Sequence, residues 1–312
     1  MNAHVAKLII IPCAVVAVLL CLASHAADTA KPQPVEIPGI ENAFRVTERI
    51  FSGSQPKGDV SFAALAKAGV KTIISVDGAR PDVEAAKRHG LRTVHLPFGY
   101  DGIPASRIAE LANAAQTTAP HAGKIFIHCH HGLHRGPAAA GVICEAIAGW
   151  TPAQTEAWLK QAGTSADYPG LYRAVREFRA PTREEIARIG PLPKAAKTPP
   201  LVDTMVAMDE QLEHLKAQQR AGWDAVSENP ERQSAHAATL LWEQLQELAR
   251  TDDTAKRTDD FRKLLTDSEH AAATLRDSLR TSPSDNARLD RALKKTTQSC
   301  AACHKVYRNE KK

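Results

Sequence analysis

The spacing of hydrophobic and polar positions changes about two thirds of the way along the chain. Before about residue 180, short runs rich in β-branched residues alternate with alanine-rich stretches of helical character. This alternation is typical of an α/β fold with a mainly parallel central sheet and flanking helices. The strand-like runs are Val70 to Val76, Arg92 to Leu96 and Lys124 to Cys129. We therefore predict an α/β domain over residues 40–180.

Beyond residue 200 the strand pattern disappears, and apolar residues recur at spacings of three and four. Such spacings place an apolar stripe on one face of a helix. Four stripes follow one another: Leu201, Met205, Met208, Leu212 and Leu215; Leu241, Leu245 and Leu248; Phe261 to Leu279; and Leu289, Leu293, Cys300 and Cys303, in a helix opened by Ser282-Pro283. The pattern predicts an all-α four-helix bundle over residues 200–312.

Residues 181–199 contain repeated prolines, which lack the N–H groups of a continuous helix and indicate a semi-rigid linker. A chain of 312 residues is long enough for two such domains. With 43% hydrophobic and 24% charged residues, it is neither a disordered nor a polytopic membrane chain. The net charge of +5 comes without long basic runs, which argues against a nucleic-acid partner.

Residues 1–26 have the pattern of a secretory signal peptide. Lys7 precedes the apolar stretch Leu8 to Ala23, and Ser24-His25-Ala26 offers a small-x-small cleavage pattern. The stretch is shorter than the roughly 18 to 20 apolar residues of a spanning helix. We expect export to the periplasm, with an uncleaved anchor in the inner membrane as the alternative. Cleavage leaves four cysteines, too few for a disulfide scaffold and better suited to chemistry: Cys129, Cys144, Cys300 and Cys303.

Cys129 and Arg135 lie six residues apart, between a strand and an alanine-rich helix. A loop wound around a helix N-terminus directs backbone amides and the helix dipole at one point, where an oxyanion binds. The same field stabilises a thiolate, so Cys129 is a candidate nucleophile. The planar guanidinium of Arg135 suits two phosphoryl oxygens. The candidate phosphate-binding residues are His130, His131, Gly132, Leu133, His134 and Arg135.

This loop, with its strand and helix, resembles the protein tyrosine and dual-specificity phosphatase superfamily, over about Phe44 to Phe178. The resemblance implies a phosphocysteine intermediate on Cys129 and an aspartate on a separate loop as acid and then base. Asp101, 28 residues before Cys129, matches that aspartate, and Asp77 is a weaker candidate for the acid or for structural support. It also implies that the substrate is a phosphorylated protein or a small phosphomonoester and that this step needs no metal.

Three alternatives stay open for the cysteine loop. Gly136 stands where the superfamily usually has a hydroxyl residue, so turnover of the intermediate is expected to be slow, and the fold could be inactive and bind anions only. The histidine-rich loop could hold zinc, although neighbouring residues on a tight loop are expected to point in different directions. A rhodanese-type sulfurtransferase is the third alternative, but its loop is usually shorter.

Residues 300–304 form a Cys-x-x-Cys-His motif. In c-type cytochromes two such thiols attach haem covalently and the histidine ligates the iron. The two cysteines alone would also fit a redox-active dithiol or one half of a zinc site. The export signal, the surrounding helices and the position on the last helix favour covalent haem c, held by Cys300 and Cys303.

The helical half resembles the cytochrome c′ family from about Pro200 to Arg308, with Tyr307 and Arg308 after the motif. The resemblance implies that His304 is an axial ligand of the haem iron, and Met205 is the candidate sixth ligand, equally well explained as a core residue. It further implies a redox partner or a small gas ligand, and a homodimer through the helical bundle is a candidate assembly.

The sequence therefore favours an exported cysteine-dependent phosphatase-like domain fused to a c-type cytochrome domain. The alternative is an electron-transfer or gas-binding haem protein whose phosphatase-like domain is inactive and only binds anionic partners.

Overall fold

The computed structural model describes residues 31–116, 123–223, 234–281 and 285–308. The predicted signal peptide at residues 1–26 lies outside these ranges. Among the described residues, no helix combines the length and the apolar character needed to cross a membrane.

A six-stranded sheet forms the centre of the first half. Its strands are β1 (Gln33–Pro34), β2 (Phe44–Arg45), β3 (Ile50–Gly53), β4 (Val70–Ser75), β5 (Arg92–His95) and β6 (Lys124–His128), in the order β1-β2-β3-β6-β4-β5. The pairs β3–β6, β6–β4 and β4–β5 are parallel, whereas β1–β2 and β2–β3 are antiparallel. The three predicted strands are thus confirmed, and they occupy one side of a mixed sheet.

Helices cover both faces of this sheet. They are α1 (Gly58–Lys67), α2 (Val83–Arg88), α3 (Ala105–Gln116), α4 (Arg135–Ile147), α5 (Pro152–Gln161) and α6 (Pro169–Arg176). Successive side chains of a strand point to opposite faces. Ile125 and Ile127 of β6 therefore pack in the larger core beneath α3 to α6, while Phe126 packs in the smaller core beneath α1 and α2. Burial on both faces explains why β6 is an almost continuous apolar run.

The proline-rich segment is attached to the sheet. Thr182 caps a five-residue helix, α7 (Arg183–Ala187), through a capping box with Glu185. Further on, the amide of His95 in β5 donates to the carbonyl of Pro193 at 2.8 Å, and the amide of Ala196 donates to Nδ1 of His95 at 2.9 Å. These bonds use groups on β5, the edge strand, so the linker is docked along that edge.

The second half is entirely helical in its described residues. It contains α8 (Pro200–Arg220), α9 (Ser234–Ala249), α10 (Asp252–Ala255), α11 (Asp259–Leu279) and α12 (Asn286–Tyr307). The predicted apolar stripes of the four long helices share one core, with Leu215, Leu241, Leu275 and Leu293 among its most buried residues. The fourth helix begins at Asn286, because Asp285 accepts a hydrogen bond from the amide of Arg288 as its N-cap. Ser282-Pro283, predicted to open it, lies outside the described residues.

The four long helices are not packed equally. α8 packs chiefly against α9, and α12 packs chiefly against α11. Of the neighbouring pairs among the four long helices, α8 and α12 are therefore the pair with the least extensive contact. Asp209 of α8 reaches the loop after β6, and Arg308, just beyond α12, reaches Tyr100. The helical half therefore meets the first half on the side that carries the cysteine loop.

Candidate functional site

Cys129 follows directly after the carboxyl end of β6. In open α/β sheets, ligands bind beyond the carboxyl ends of the strands, where loops lead into helix N-termini. Cys129 has only 4% of its surface exposed, and α4 begins six residues later at Arg135. The nucleophile predicted from sequence thus lies at the base of a loop that opens a buried helix.

The backbone carbonyls of this loop are held from outside. The carbonyl of His130 accepts from the amide of Gln55 at 3.1 Å, and that of Gly132 accepts from the side-chain amide of Asn42 at 2.9 Å. The hydroxyl of Thr164 donates to the carbonyl of Leu133 at 2.7 Å. Because C=O and N–H of one peptide point in opposite directions, the amides of the following residues face the inside of the loop.

These inward amides have no acceptor in the structure. Among the described residues, none receives a hydrogen bond from the amides of residues 130–134. Buried or half-buried N–H groups are normally paired, so an unpaired set around one point indicates a place for an anion. The N-terminus of α4 adds its positive potential at that point.

Gly132 is required by the shape of the loop. Its φ is +70°, in the left-handed region, and a Cβ at this position would collide with the backbone of Gly53 and Ser54. The loop therefore lies directly against the end of β3, and only glycine fits there without moving that strand.

Arg135 stands at the mouth of the loop, with 11% of its side chain exposed. Its Nη2 donates to Oδ1 of Asp77 at 2.7 Å, and its guanidinium lies 4.6 Å from the centre of the Tyr100 ring. Its Nε is buried and has no hydrogen-bond partner among the described residues. An unpaired buried donor is costly, and a phosphoryl oxygen would satisfy it.

Asp77 forms a buried ion pair with the arginine. Burial by itself raises the pKa of Asp77, but the nearby imidazole of His130 and the charge of Arg135 outweigh it and hold this pKa well below its usual range. The carboxyl group, 2% exposed, therefore stays ionised at neutral pH and has no proton to give. Of the two roles considered for Asp77, structural support fits its environment.

Asp101 lies on the loop between β5 and α3. Its carboxyl group is exposed, and its backbone carbonyl accepts from Nη2 of Arg173 at 2.8 Å. The adjacent Tyr100 lies over Arg135, so this loop forms one wall of the site. Asp101 thus lies on a loop that lines the site, and the residue is exposed to solvent.

Gly136 lies against the nucleophile. A Cβ at this position would be 3.5 Å from Sγ and 3.1 Å from the backbone nitrogen of Cys129. A hydroxyl-bearing residue here would be next to the sulfur. The chain therefore lacks a hydroxyl at this position of α4.

The four histidines of the segment have different environments. His128 is buried, and burial lowers its pKa to about 4, so it is neutral at pH 7. Burial and the charge of Arg308 lower the pKa of His134 to about 4, and its Nδ1 accepts from the amide of Ser165 at 3.3 Å. For His130, the nearby carboxylate of Asp77 raises the pKa. His130 and His131 contact Asp209 of the helical half.

His130 and His131 converge on one carboxylate. Their Nε2 atoms each lie 3.5 Å from Oδ2 of Asp209 in α8, and their ring centres are 4.5 Å apart. The expectation that neighbouring loop residues would point in different directions is therefore wrong for this pair. No sequence pattern singles out Asp209, because it is one of many charged residues on a helix surface.

A second contact joins α12 to the wall of the site. The guanidinium of Arg308 donates to the hydroxyl of Tyr168 at 3.0 Å and to that of Tyr100 at 2.9 Å, and it lies 4.2 Å from the centre of the Tyr100 ring. Tyr100 is thus in contact with both Arg135 and Arg308. Sequence reasoning did not identify Tyr100 or Tyr168, and it noted Arg308 only as a residue that follows the Cys-x-x-Cys-His motif.

The Cys-x-x-Cys-His residues all lie on α12. Cys303 is buried in the core that also contains Met208 of α8, and Met205 is half-buried against that core. Burial raises the pKa of both Cys300 and Cys303 and lowers that of His304. Asp209 is among the charges acting on Cys300 and His304. The motif therefore faces α8, on the side next to the cysteine loop.

Comparisons with known proteins give partial structural similarities. No protein-family model and no curated protein matches the sequence. TpbA from P. aeruginosa is 22% identical, with 48% of this chain and 92% of that chain covered and a TM-score of 0.42. PTPMT1 in complex with PI(5)P is 17% identical (47% and 99% covered, TM-score 0.40). A putative phosphatase (DUF442) from Shewanella putrefaciens is 18% identical (49% and 94% covered, TM-score 0.37).

Proposed function

We propose that the first half of this chain hydrolyses phosphomonoesters by attack of Cys129. One observation carries this proposal: the inward-facing, unpaired amides of residues 131, 133 and 134 and the unpaired Nε of Arg135 lie around a buried cysteine at a helix N-terminus. Such a site binds a tetrahedral oxyanion and positions its central atom next to a sulfur nucleophile.

The reaction has two displacements at phosphorus. The sulfur of Cys129 attacks, the bond from phosphorus to the ester oxygen breaks, and Asp101 gives its proton to the departing oxygen. Water then attacks the phosphocysteine, Asp101 takes a proton from that water, and the P–S bond breaks to release phosphate and the thiolate. Arg135 and the loop amides bind the equatorial oxygens in both steps. No metal takes part.

Asp101 needs a change of side-chain conformation for this role. Its carboxyl group is exposed, while the neighbouring Tyr100 is already anchored over Arg135. Gly99 and Gly102 flank the pair and provide the backbone freedom for loop closure over a bound substrate. Substrates of this site are phosphorylated proteins or small phosphomonoesters.

We also propose that α12 carries a covalent haem c. The donor set fits: Cys300, Cys303 and His304 are three and four residues apart on a helix, so they share one face, and none of the described cysteines is in a disulfide. Cys300 and Cys303 would hold the porphyrin and His304 would ligate the iron, with Met205 of α8 as a further candidate ligand. The haem would supply one-electron transfer or gas binding.

Export of the chain fits this cofactor, because covalent haem attachment requires it to leave the cytoplasm with its thiols reduced. Residues 1–26 have the pattern of a cleaved signal, and we propose the periplasm as its location, with an inner-membrane anchor as the alternative.

A second candidate function has one observation in its favour. Gly136 has no hydroxyl to offer the sulfur of Cys129, from which its added Cβ would be 3.5 Å away, and this weakens stabilisation of the thiolate when it leaves the intermediate. In this alternative, the protein is an electron-transfer or gas-binding haem protein, and its loop binds anionic partners without turnover.

The test uses the full chain made in a host that matures c-type cytochromes. We expect hydrolysis of an aryl phosphate, lost in Cys129→Ser and retained in Cys144→Ala, which removes a buried thiol outside the loop. A visible spectrum of covalent haem, lost in Cys300→Ser, tests the second half. A folded wild-type protein that binds phosphate without turnover would favour the alternative and contradict the hydrolase proposal.

A further inference from the structure

A cluster of three potential metal ligands lies between the cysteine loop and α8. The two imidazole Nε2 atoms of His130 and His131 are each 3.5 Å from Oδ2 of Asp209. All three ligand atoms lie within 4.8 Å of one another. No chemical step proposed above uses these side chains, so their convergence requires another explanation.

The distances are those of ligands around an ion and not those of hydrogen bonds. Hydrogen bonds between nitrogen and oxygen are about 2.7 to 3.2 Å long, and both contacts here exceed that range. Zinc binds imidazole nitrogen and carboxylate oxygen at about 2.0 to 2.2 Å, and two ligands of a tetrahedral ion are then about 3.3 to 3.5 Å apart. Each imidazole nitrogen is therefore already at the distance from Oδ2 of Asp209 that two ligands of one ion require.

The surroundings of His130 favour the tautomer with its proton on Nδ1, which leaves Nε2 available to a metal. Its Nδ1 faces Oδ2 of Asp77 at 3.6 Å, while its Nε2 faces Asp209. Oδ2 of Asp77 is buried and has no hydrogen-bond partner among the described residues. A proton on Nδ1 directed at that carboxylate leaves the Nε2 lone pair for a metal, which is the common carboxylate–histidine–metal arrangement.

The site also has an open position. His131 and Asp209 have 42% of their side chains exposed, and His130 has 18%. Three protein ligands with access to solvent leave the fourth tetrahedral position for water or an anion. Two nitrogens and one carboxylate oxygen suit zinc better than Ca²⁺ or Mg²⁺, which take oxygen ligands.

We propose that His130, His131 and Asp209 form a binding site for Zn²⁺ or a similar divalent transition metal, which joins the cysteine loop to α8. The site links residues 79 positions apart in sequence, from the two halves of the chain. It does not depend on hydrolysis by Cys129, and zinc occupancy tests it independently of the proposed function.

The experiment measures zinc binding to the full haem-loaded chain, without a histidine tag, by competition with a chromophoric chelator. We expect one zinc per chain, with affinity reduced more than about tenfold in Asp209→Asn. The matched control is Glu210→Gln, which removes a negative charge from the adjacent exposed residue but no ligand, and we expect it to bind zinc as the wild type does.

X-ray absorption of the bound zinc identifies the ligands. We expect a shell of nitrogen and oxygen at about 2.0 to 2.1 Å, whereas a sulfur shell at about 2.3 Å would place the metal on cysteines. Circular dichroism shows whether Asp209→Asn is folded, and His131→Gln provides a second ligand variant. Absence of binding, a sulfur shell, or wild-type affinity in the folded variants would each overturn the proposal.

Discussion

Replacement of Gly136 by serine tests whether the missing hydroxyl limits turnover. The position is on the first turn of α4, and its added Cβ would be 3.5 Å from the sulfur of Cys129. The hydroxyl oxygen is one bond further out and in one rotamer can donate to the thiolate. The same Cβ would be 3.1 Å from the Cys129 nitrogen, so the loop must shift by a few tenths of an ångström.

The expected gain follows from the strength of such a bond. A hydrogen bond to a charged group contributes about 1.5 to 3 kcal/mol. If all of it stabilises the departing thiolate in the transition state, each 1.36 kcal/mol is a factor of ten in rate. Hydrolysis of the phosphocysteine should then be about 10 to 100 times faster, less the effect of crowding at Cys129. Gly136→Ala adds the crowding without the hydroxyl and is the matched control.

Rapid mixing with an aryl phosphate separates the two steps. In the wild type we expect a burst of about one phenol per active site followed by slow steady-state release, because breakdown of the intermediate is limiting. In Gly136→Ser the steady-state rate should rise and the burst should shrink, while Gly136→Ala should be no faster than the wild type. Equal steady-state rates for the serine and alanine variants would refute the reasoning.

For three further substitutions, the structure predicts the direction of the effect on stability or on hydrogen exchange. Asp77→Asn leaves Arg135 buried without a counter-charge and should destabilise the fold by about 3 to 5 kcal/mol in denaturant titrations. Because the pKa of Asp77 is lowered in the folded protein, the free energy of unfolding that its ionised carboxylate contributes to the wild type should be lost as the pH falls below 3.8. Burial raises the pKa of Glu145 from 4.5 to about 7, so stability should fall as the pH rises between these values, and Glu145→Gln should remove that fall in Tm. Arg308→Ala removes a cation from the Tyr100 ring and should increase hydrogen exchange in the Tyr100 loop, whereas no change would contradict that contact.

Local sequence patterns predicted the elements that carry the candidate site. β6 is apolar on both faces, and α4 is rich in small residues because Gly136 to Glu145 are buried against the sheet. Both features follow from burial, which is visible in the sequence as runs of apolar and small residues. The order of strand, loop and helix then fixed where Cys129 and Arg135 lie relative to each other.

Contacts between distant segments could not be predicted in the same way. Asn42 and Thr164 hold the loop carbonyls from 90 and 31 residues away, yet each is an ordinary polar residue in its own segment. The linker was predicted from its prolines, but its attachment to His95 depends on an edge strand whose free groups only the sheet order reveals. Such contacts are set by tertiary packing, and no spacing pattern records them.

The arrangement of the two halves also bears on the size of the substrate. Cys129 is 4% exposed, Tyr100 covers Arg135, and Asp209 of α8 contacts the loop after Cys129, so under the proposed function we expect a small phosphomonoester to have easier access than a phosphorylated side chain of a folded protein. The contacts of Asp209 and Arg308 involve partly exposed groups worth about 1 kcal/mol or less each. Separating the two halves at this side therefore requires little free energy, and the linker can stay docked on β5 meanwhile. A metal held by His130, His131 and Asp209 would add ligand bonds across the same boundary, and it would thereby restrict large substrates without changing the chemistry at Cys129.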